Sequence, residues 1–335
     1  MRISTITQTN RTETNILNLQ RELTRAEQQV SSGKISSVFS GLKGEDARIS
    51  VQLRESVTSK ESFIETIERT RLRTSVMDAG LLQIQDLADD LRTELIKQTD
   101  SLFQAELPII QRFADNAIDR LTSLLNTRVA GRFIFSGPLT STQPILDPAT
   151  IKANFAGAGI NTAVNGATNT AATILGNVNT FFNTNANWNN LNAIATTQET
   201  TVHVDKGLNV SYGEMAHQEA FADLFEILNI FANVTVDPGQ NAEYRNLFDS
   251  ARTTIETAFD TINQMVADLG IDQARFDAVE EAHREDIVVI GEQIGNVEDV
   301  DALEAANLFQ TLRGQIETSF QVTALTRDLT LARFL

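Results

Sequence analysis

The residues best suited to proton transfer or metal ligation near neutral pH are three histidines, His203, His217 and His283, and they are scattered along the chain. No two stand four residues apart, so nothing places a pair of imidazoles on one helix face. Acidic pairs occur at Asp89-Asp90 and Glu280-Glu281 and could in principle supply a general acid and base. Neighbouring helical residues point about 100° apart, however, and both pairs lie in highly charged helical stretches, where a solvated face is the ordinary reading. The segment "SSGKIS" has the look of a phosphate loop. Yet Gln28 stands where the first glycine belongs, and Ile35 follows the lysine where Ser or Thr is required. "GAGINT", Gly157 to Thr162, lacks the third glycine of a dinucleotide fingerprint. The chain has no cysteine, which removes disulfides, thiolate metal sites and cysteine nucleophiles together. No catalytic, cofactor-binding or metal site is expected. Three Asn-x-Ser/Thr sequons, at Asn10, Asn209 and Asn233, are short enough to arise by chance.

Charge narrows the partners. With 27 Lys plus Arg against 44 Asp plus Glu, the net charge is -17, which opposes sequence-independent nucleic-acid binding and docking on an anionic membrane. No run of about 18 apolar residues exists, so no membrane insertion is expected. "MRISTITQTNRTETN" has no apolar h-region, so no ordinary secretory signal is expected either.

The elements that remain are long helices. Ile16, Leu19, Leu23, Ala26 and Val30 recur at spacings of 3, 4, 3 and 4, the seam of a coiled coil or bundle. A proline-free helical pattern from Gly44 to about Lys97 carries Leu81, Ile84, Leu87, Leu91 and Leu95. Pro108 is expected to open a further helix, since proline suits a first helical turn. Pro138, Pro144 and Pro148 then mark a break. From Ala153 to Gln198 there is not one charged residue, and Asn, Thr, Ala and Gly dominate. Asn and Thr favour turns and strands over helix, and "ETTVHVDKGLNVSY" alternates as a hairpin would. A β-rich insert is therefore expected, with Trp188 as the anchor of its small core. Helix resumes with an amphipathic "GEMAHQEAFADLFEILNIF", a turn at "VDPGQN", and a long helix from Ala242 to about Gly291. A last helix, capped by Asp299 or Asp301, carries Val322, Leu325 and Leu329 at helical spacing.

The expected fold is mainly α, with long terminal helices forming a coiled coil, an elongated helical bundle, and an inserted β-rich outer domain. Residues 1–40 and 297–335 form the terminal-helix part, 41–138 and 214–296 the helical core, and 139–213 the insert. Two helices bury little by themselves, so the paired termini are expected to pack against other copies.

Both ends also carry a resemblance. "MRIST" followed by "LNLQRELTRAEQQVSSGK" (Leu17 to Lys34) is similar to the N-terminal signature of the bacterial flagellin superfamily. "LGIDQARFDAVEE" (Leu269 to Glu281) and "VEDVDALEAANLFQTLRGQIETSFQVTALTRDLTLARFL" resemble its C-terminal helices. "TRVAGRFIFSG" (Thr127 to Gly137) resembles the motif ahead of the outer domain in the hook-associated protein 3 branch, which joins hook to filament. The resemblance covers roughly 1–138 and 214–335, and the insert carries none. It implies a structural, non-enzymatic, cofactor-free axial component of the flagellum. Such a chain is exported unfolded through the flagellar type III channel and forms a helical homo-oligomer through its terminal helices. Implied partners are the hook-side junction protein, filament flagellin, an export chaperone and the export apparatus. Implied contact residues are Ile16, Leu19, Leu23, Val30, Leu312, Ile316, Phe320, Leu325, Leu329 and Leu335. A flagellin subunit of the filament is the alternative, and a cytosolic helical scaffold the more distant one.

Overall fold

The computed structural model describes the backbone of residues 2–97, 103–191 and 200–331, and the side chains of 7, 10–97, 107–191 and 200–325. Among these residues the protein is mainly helical, as expected. Helices α1 (Arg2–Ser32), α2 (Gly44–Lys97), α3 (Phe103–Leu125), α4 (Pro148–Gly157), α5 (Ala171–Phe182), α6 (Glu219–Asn233), α7 (Asn241–Glu298) and α8 (Ala302–Leu331) carry the architecture. Strands are short: β1 (Arg128–Val129), β2 (Arg132–Phe133), β3 (Ala163–Val164), β4 (Thr200–Asp205), β5 (Leu208–Tyr212) and β6 (Thr235–Val236). The chain divides into two compact units, Met1–Ser62 with Ala282–Leu335, and Phe63–Glu281.

In the central unit, α2 and α7 run antiparallel, bound by the Arg71–Asp277 ion pair and a hydrogen bond from Gln85 to Asn263. The stripe Leu81, Ile84, Leu87, Leu91 and Leu95 is fully buried against α3, α6 and the Leu247–Leu269 face of α7. Helix α6 is buried nearly all round, including Phe221, Phe225, Ile227, Ile230 and Phe231, so it is a central helix rather than an amphipathic surface one. Pro108 does not open α3 but lies inside it. It falls early in the helix, where the missing N–H forfeits a single backbone bond and most of the helix's hydrogen bonding is untouched.

The β-rich character expected of 139–213 is only weakly expressed. Its β4–β5 hairpin is antiparallel, with Thr200 opposite Tyr212 and Val202 opposite Val210, and it packs Val204, Val210 and Tyr212 on Ile67 and Phe276. The rest holds two helices. Ile174, Val178, Phe181 and Phe182 of α5 form an apolar helical face that outweighs the low helix propensity of Asn and Thr. The Thr170 hydroxyl caps α5 by accepting from the Thr173 N–H at 3.3 Å. Trp188 is fully buried and donates its indole N–H to the Phe182 carbonyl at 2.8 Å. Its ring lies 5.5 Å from that of Phe225, so these residues share one core with α6.

Candidate assembly interface

In the terminal unit, α1 packs against α8. The Val300 N–H donates to the Gly33 carbonyl at one end, and Ile16 and Leu19 share a groove with Gln315, Ser319 and Val322 further along, so the two helices are antiparallel. Gly33 ends α1 in a left-handed conformation (φ 69°), which glycine adopts at no steric cost. Asp301 starts α8, its carboxylate accepting from the Leu303 and Glu304 N–H groups at 2.8 and 3.2 Å.

The corner where α1 ends and α8 begins is held by one carboxylate. Glu298 Oε1 accepts from the Ser50 hydroxyl at 2.5 Å and from Arg54 Nε at 2.9 Å. Its Oε2 accepts from the second Arg54 nitrogen at 2.7 Å and from Lys34 Nζ at 2.9 Å. Arg54 thus grips both oxygens with its rigid fork. These bonds, Arg54 first, hold the buried Glu298 carboxyl down at about 2. The backbone repeats the tie, with the Ile35 N–H donating to the Glu298 carbonyl at 2.7 Å. The "SSGK" lysine therefore serves as an ion-pair partner in this structure. Sequence reading missed Ser50, Arg54 and Glu298, because no local spacing links residues that lie so far apart in the chain.

The implied contact residues divide by exposure. Leu312 and Ile316 are buried in the α1–α8 pair, together with Ala26 and Ala305, while Ile16, Leu19 and Leu23 are half-buried. Val30, Phe320 and Leu325 are exposed, as are Leu17, Leu308 and Val322; Phe320 is 51% and Leu325 63% exposed. The Leu329 side chain and all of Leu335 lie outside the described residues. The two-helix pair therefore leaves several large apolar side chains exposed.

The residues first weighed for chemistry come apart. His203 is exposed on β4, whereas His217 is buried, with its pKa lowered by that burial. Asp89 and Asp90 are both exposed. Glu280 pairs with Arg71 at 2.6 Å while Glu281 is exposed, so that pair is divided too. No group of three or more metal-ligating side chains occurs among the described residues. No helix among them is long and apolar enough to cross a membrane.

Residues 253–335 match the family model described as the bacterial flagellin C-terminal helical region. That stretch takes in most of α7, Glu298 of the corner and all of α8. Among solved structures, the chain is similar to one from Vibrio parahaemolyticus of a protein assigned as flagellar hook-associated. The TM-score is 0.53 and the identity 13%, over 76% of this chain and 98% of that one. At that identity the likeness is one of fold. Nothing among the curated proteins matches. The family match bears out the resemblance of the C-terminal helices to those of the flagellin superfamily.

Proposed function

We propose that this chain, with a flagellin-type C-terminal region on a hook-associated-protein-like fold, is an extracellular axial subunit of the flagellum that self-assembles through α1 and α8 and sits at the hook–filament junction. One observation carries the self-assembly: α1 and α8 pair with each other yet leave Leu17, Val30, Leu308, Phe320 and Leu325 exposed. Each such side chain, once fully buried, contributes about 1.5–3 kcal/mol. Several on one helix pair supply the driving force for lateral packing of copies. The contact set is Ile16, Leu19, Leu23, Val30, Leu312, Ile316, Phe320, Leu325, Leu329 and Leu335, within a terminal-helix domain of 1–40 and 297–335. Residues 41–138 with 214–296 form the helical core, and 139–213 the outer insert.

Export through the flagellar type III channel, with a dedicated chaperone, accords with a chain free of cysteine, since no disulfide must be undone for passage. The junction role is favoured by the likeness of "TRVAGRFIFSG" to the junction branch and by the fold shared with the Vibrio hook-associated protein. Filament flagellin is the second reading, favoured by the flagellin-type C-terminal match. Electron microscopy of purified protein seeded onto hook fragments tests both. Short caps that stop growing are expected; long filaments select the flagellin reading, and a chain that stays monomeric at high concentration overturns self-assembly.

A further inference from the structure

The central unit holds a second surface, remote in sequence from the terminal helices. A cleft of about 520 Å³ is lined by α2, β2 and the turn after it, and the β4–β5 hairpin. Three arginines, Arg69, Arg73 and Arg132, line it together with Thr66, Thr140 and Thr200. Arg69 and Arg73 stand one helical turn apart on α2 and so share a face. Arg132 is delivered by a two-residue turn in which Ala130 (φ 50°) and Gly131 (φ 77°) are both left-handed, folding β2 back on β1.

In a chain with 44 acidic and 27 basic residues, a cleft whose described lining holds three cations and no carboxylate runs against composition. Arg69 has a partner in Glu65 at 3.0 Å, but both are exposed and such a pair is weak. No ion pair joins Arg73 or Arg132 to another described residue.

We propose that this cleft receives carboxylate side chains from a second copy of this chain. The proposal rests on the self-assembly reading and extends it to the central unit. Copies carrying a net charge of -17 repel one another when packed side by side. A guanidinium grips a carboxylate through two parallel N–H bonds, so a cleft of arginines relieves that repulsion and orients the neighbour. The Thr140 and Thr200 hydroxyls offer further donors at the cleft wall.

The test compares the full chain with the triple variant Arg69→Gln/Arg73→Gln/Arg132→Gln. At about 50 mM salt the variant is expected to need roughly tenfold more protein to assemble. At about 0.5 M salt, where screening is short-ranged, the two should converge. Monomer melting should be unchanged, since none of the three arginines is buried. A titration of the monomer with a synthetic polyglutamate peptide supplies a second readout; the wild type should bind and the variant should not. Glu199 precedes the lining residue Thr200 and lies outside the described residues, so Glu199→Gln completes the set. A tenfold gain in peptide affinity in that variant would mean that the chain's own carboxylate fills the cleft, and would overturn the proposal. Equal assembly of variant and wild type at low salt also overturns it. Arginine-dependent peptide binding with unchanged assembly assigns the cleft to another acidic partner and rejects the second copy. If the wild type never assembles, the self-assembly reading falls and the second-copy proposal with it. The peptide titration then still reports whether the cleft takes carboxylates.

Discussion

Leu81 and Leu325 both sit in helical apolar stripes, one in each unit, yet Leu81 is fully buried and Leu325 is 63% exposed. The central unit surrounds α6 with α3, α5 and α7, so its leucines and phenylalanines are covered within one chain. In the terminal unit α1 packs on α8, and two cylinders cover each other along a single line. Their acids differ in the same way. Glu298 is surrounded by Ser50, Arg54 and Lys34 and is held down at about 2, whereas burial pushes Glu226, which accepts from Asn179 at 3.1 Å, up to about 7. The central unit covers its own apolar stripes within one chain; on the reading proposed above, neighbours complete the terminal unit.

The largest expected effect comes from breaking the central core. Phe225→Ala removes a ring stacked near Phe182 and Trp188 and should cost about 3–5 kcal/mol of monomer stability. Phe320→Ala, at a half-exposed site, should change monomer stability by less than about 0.5 kcal/mol while strongly weakening assembly. Thermal melting beside sedimentation reads both. Equal monomer destabilisation by the two changes would erase the contrast between the units.

The acids sharpen it, with opposite signs. A carboxyl held down at about 2 contributes stability that is present above its ordinary value near 4.5 and is lost as pH falls toward 2. Glu298→Gln should therefore cost the terminal unit on the order of 1–3 kcal/mol at pH 7, less than a fully buried pair because Lys34 and Arg54 are well exposed. Hydrogen exchange should show it at residues 33–36 and 298–301, with little difference from wild type near pH 2. Glu226, pushed up to about 7, is favourable below about 4.5 and loses that contribution as pH rises through 7. Glu226→Gln should raise the melting temperature at pH 8, by a free energy on the order of 1–3 kcal/mol, and leave it nearly unchanged at pH 4. Stabilisation of the same size at both pH values would show that burial of the charge is not what moves Glu226.

The smallest expected effect tests the turn that delivers Arg132. Ala130 at φ 50° bears a left-handed penalty of about 1–2 kcal/mol, partly offset in a glycine by its greater unfolded-state freedom. Ala130→Gly should stabilise the central unit by up to about 1 kcal/mol in denaturant titration. A loss would mean that the alanine methyl makes contacts worth more than the strain.

Much of the helical framework was legible in the sequence, because it depends on signals a few residues apart. The Leu81–Leu95 stripe, the span Gly44–Lys97, a cap at Asp299 or Asp301 and the β4–β5 hairpin all follow from periodicity or capping within one element; the structure selects Asp301. Helices α4 and α5 were not legible. Asn and Thr composition argued for turns, and the apolar face at Ile174, Val178 and Phe181 acquires its meaning only against Phe225 and Trp188. Pro108 was misplaced because its position in a helix depends on how far the preceding turn extends.

By itself the sequence determined the long helices and their apolar stripes, a net charge that opposes polyanionic partners, and ends that resemble flagellins. Those properties reside in residue type and short spacing. Only the tertiary structure decided that Lys34, Ser50 and Arg54 meet at Glu298, that α6 is wrapped on all sides, and that three arginines converge on one cleft. Such meetings join residues far apart in the chain, and nothing in local spacing encodes them until packing of the apolar faces closes the loops between.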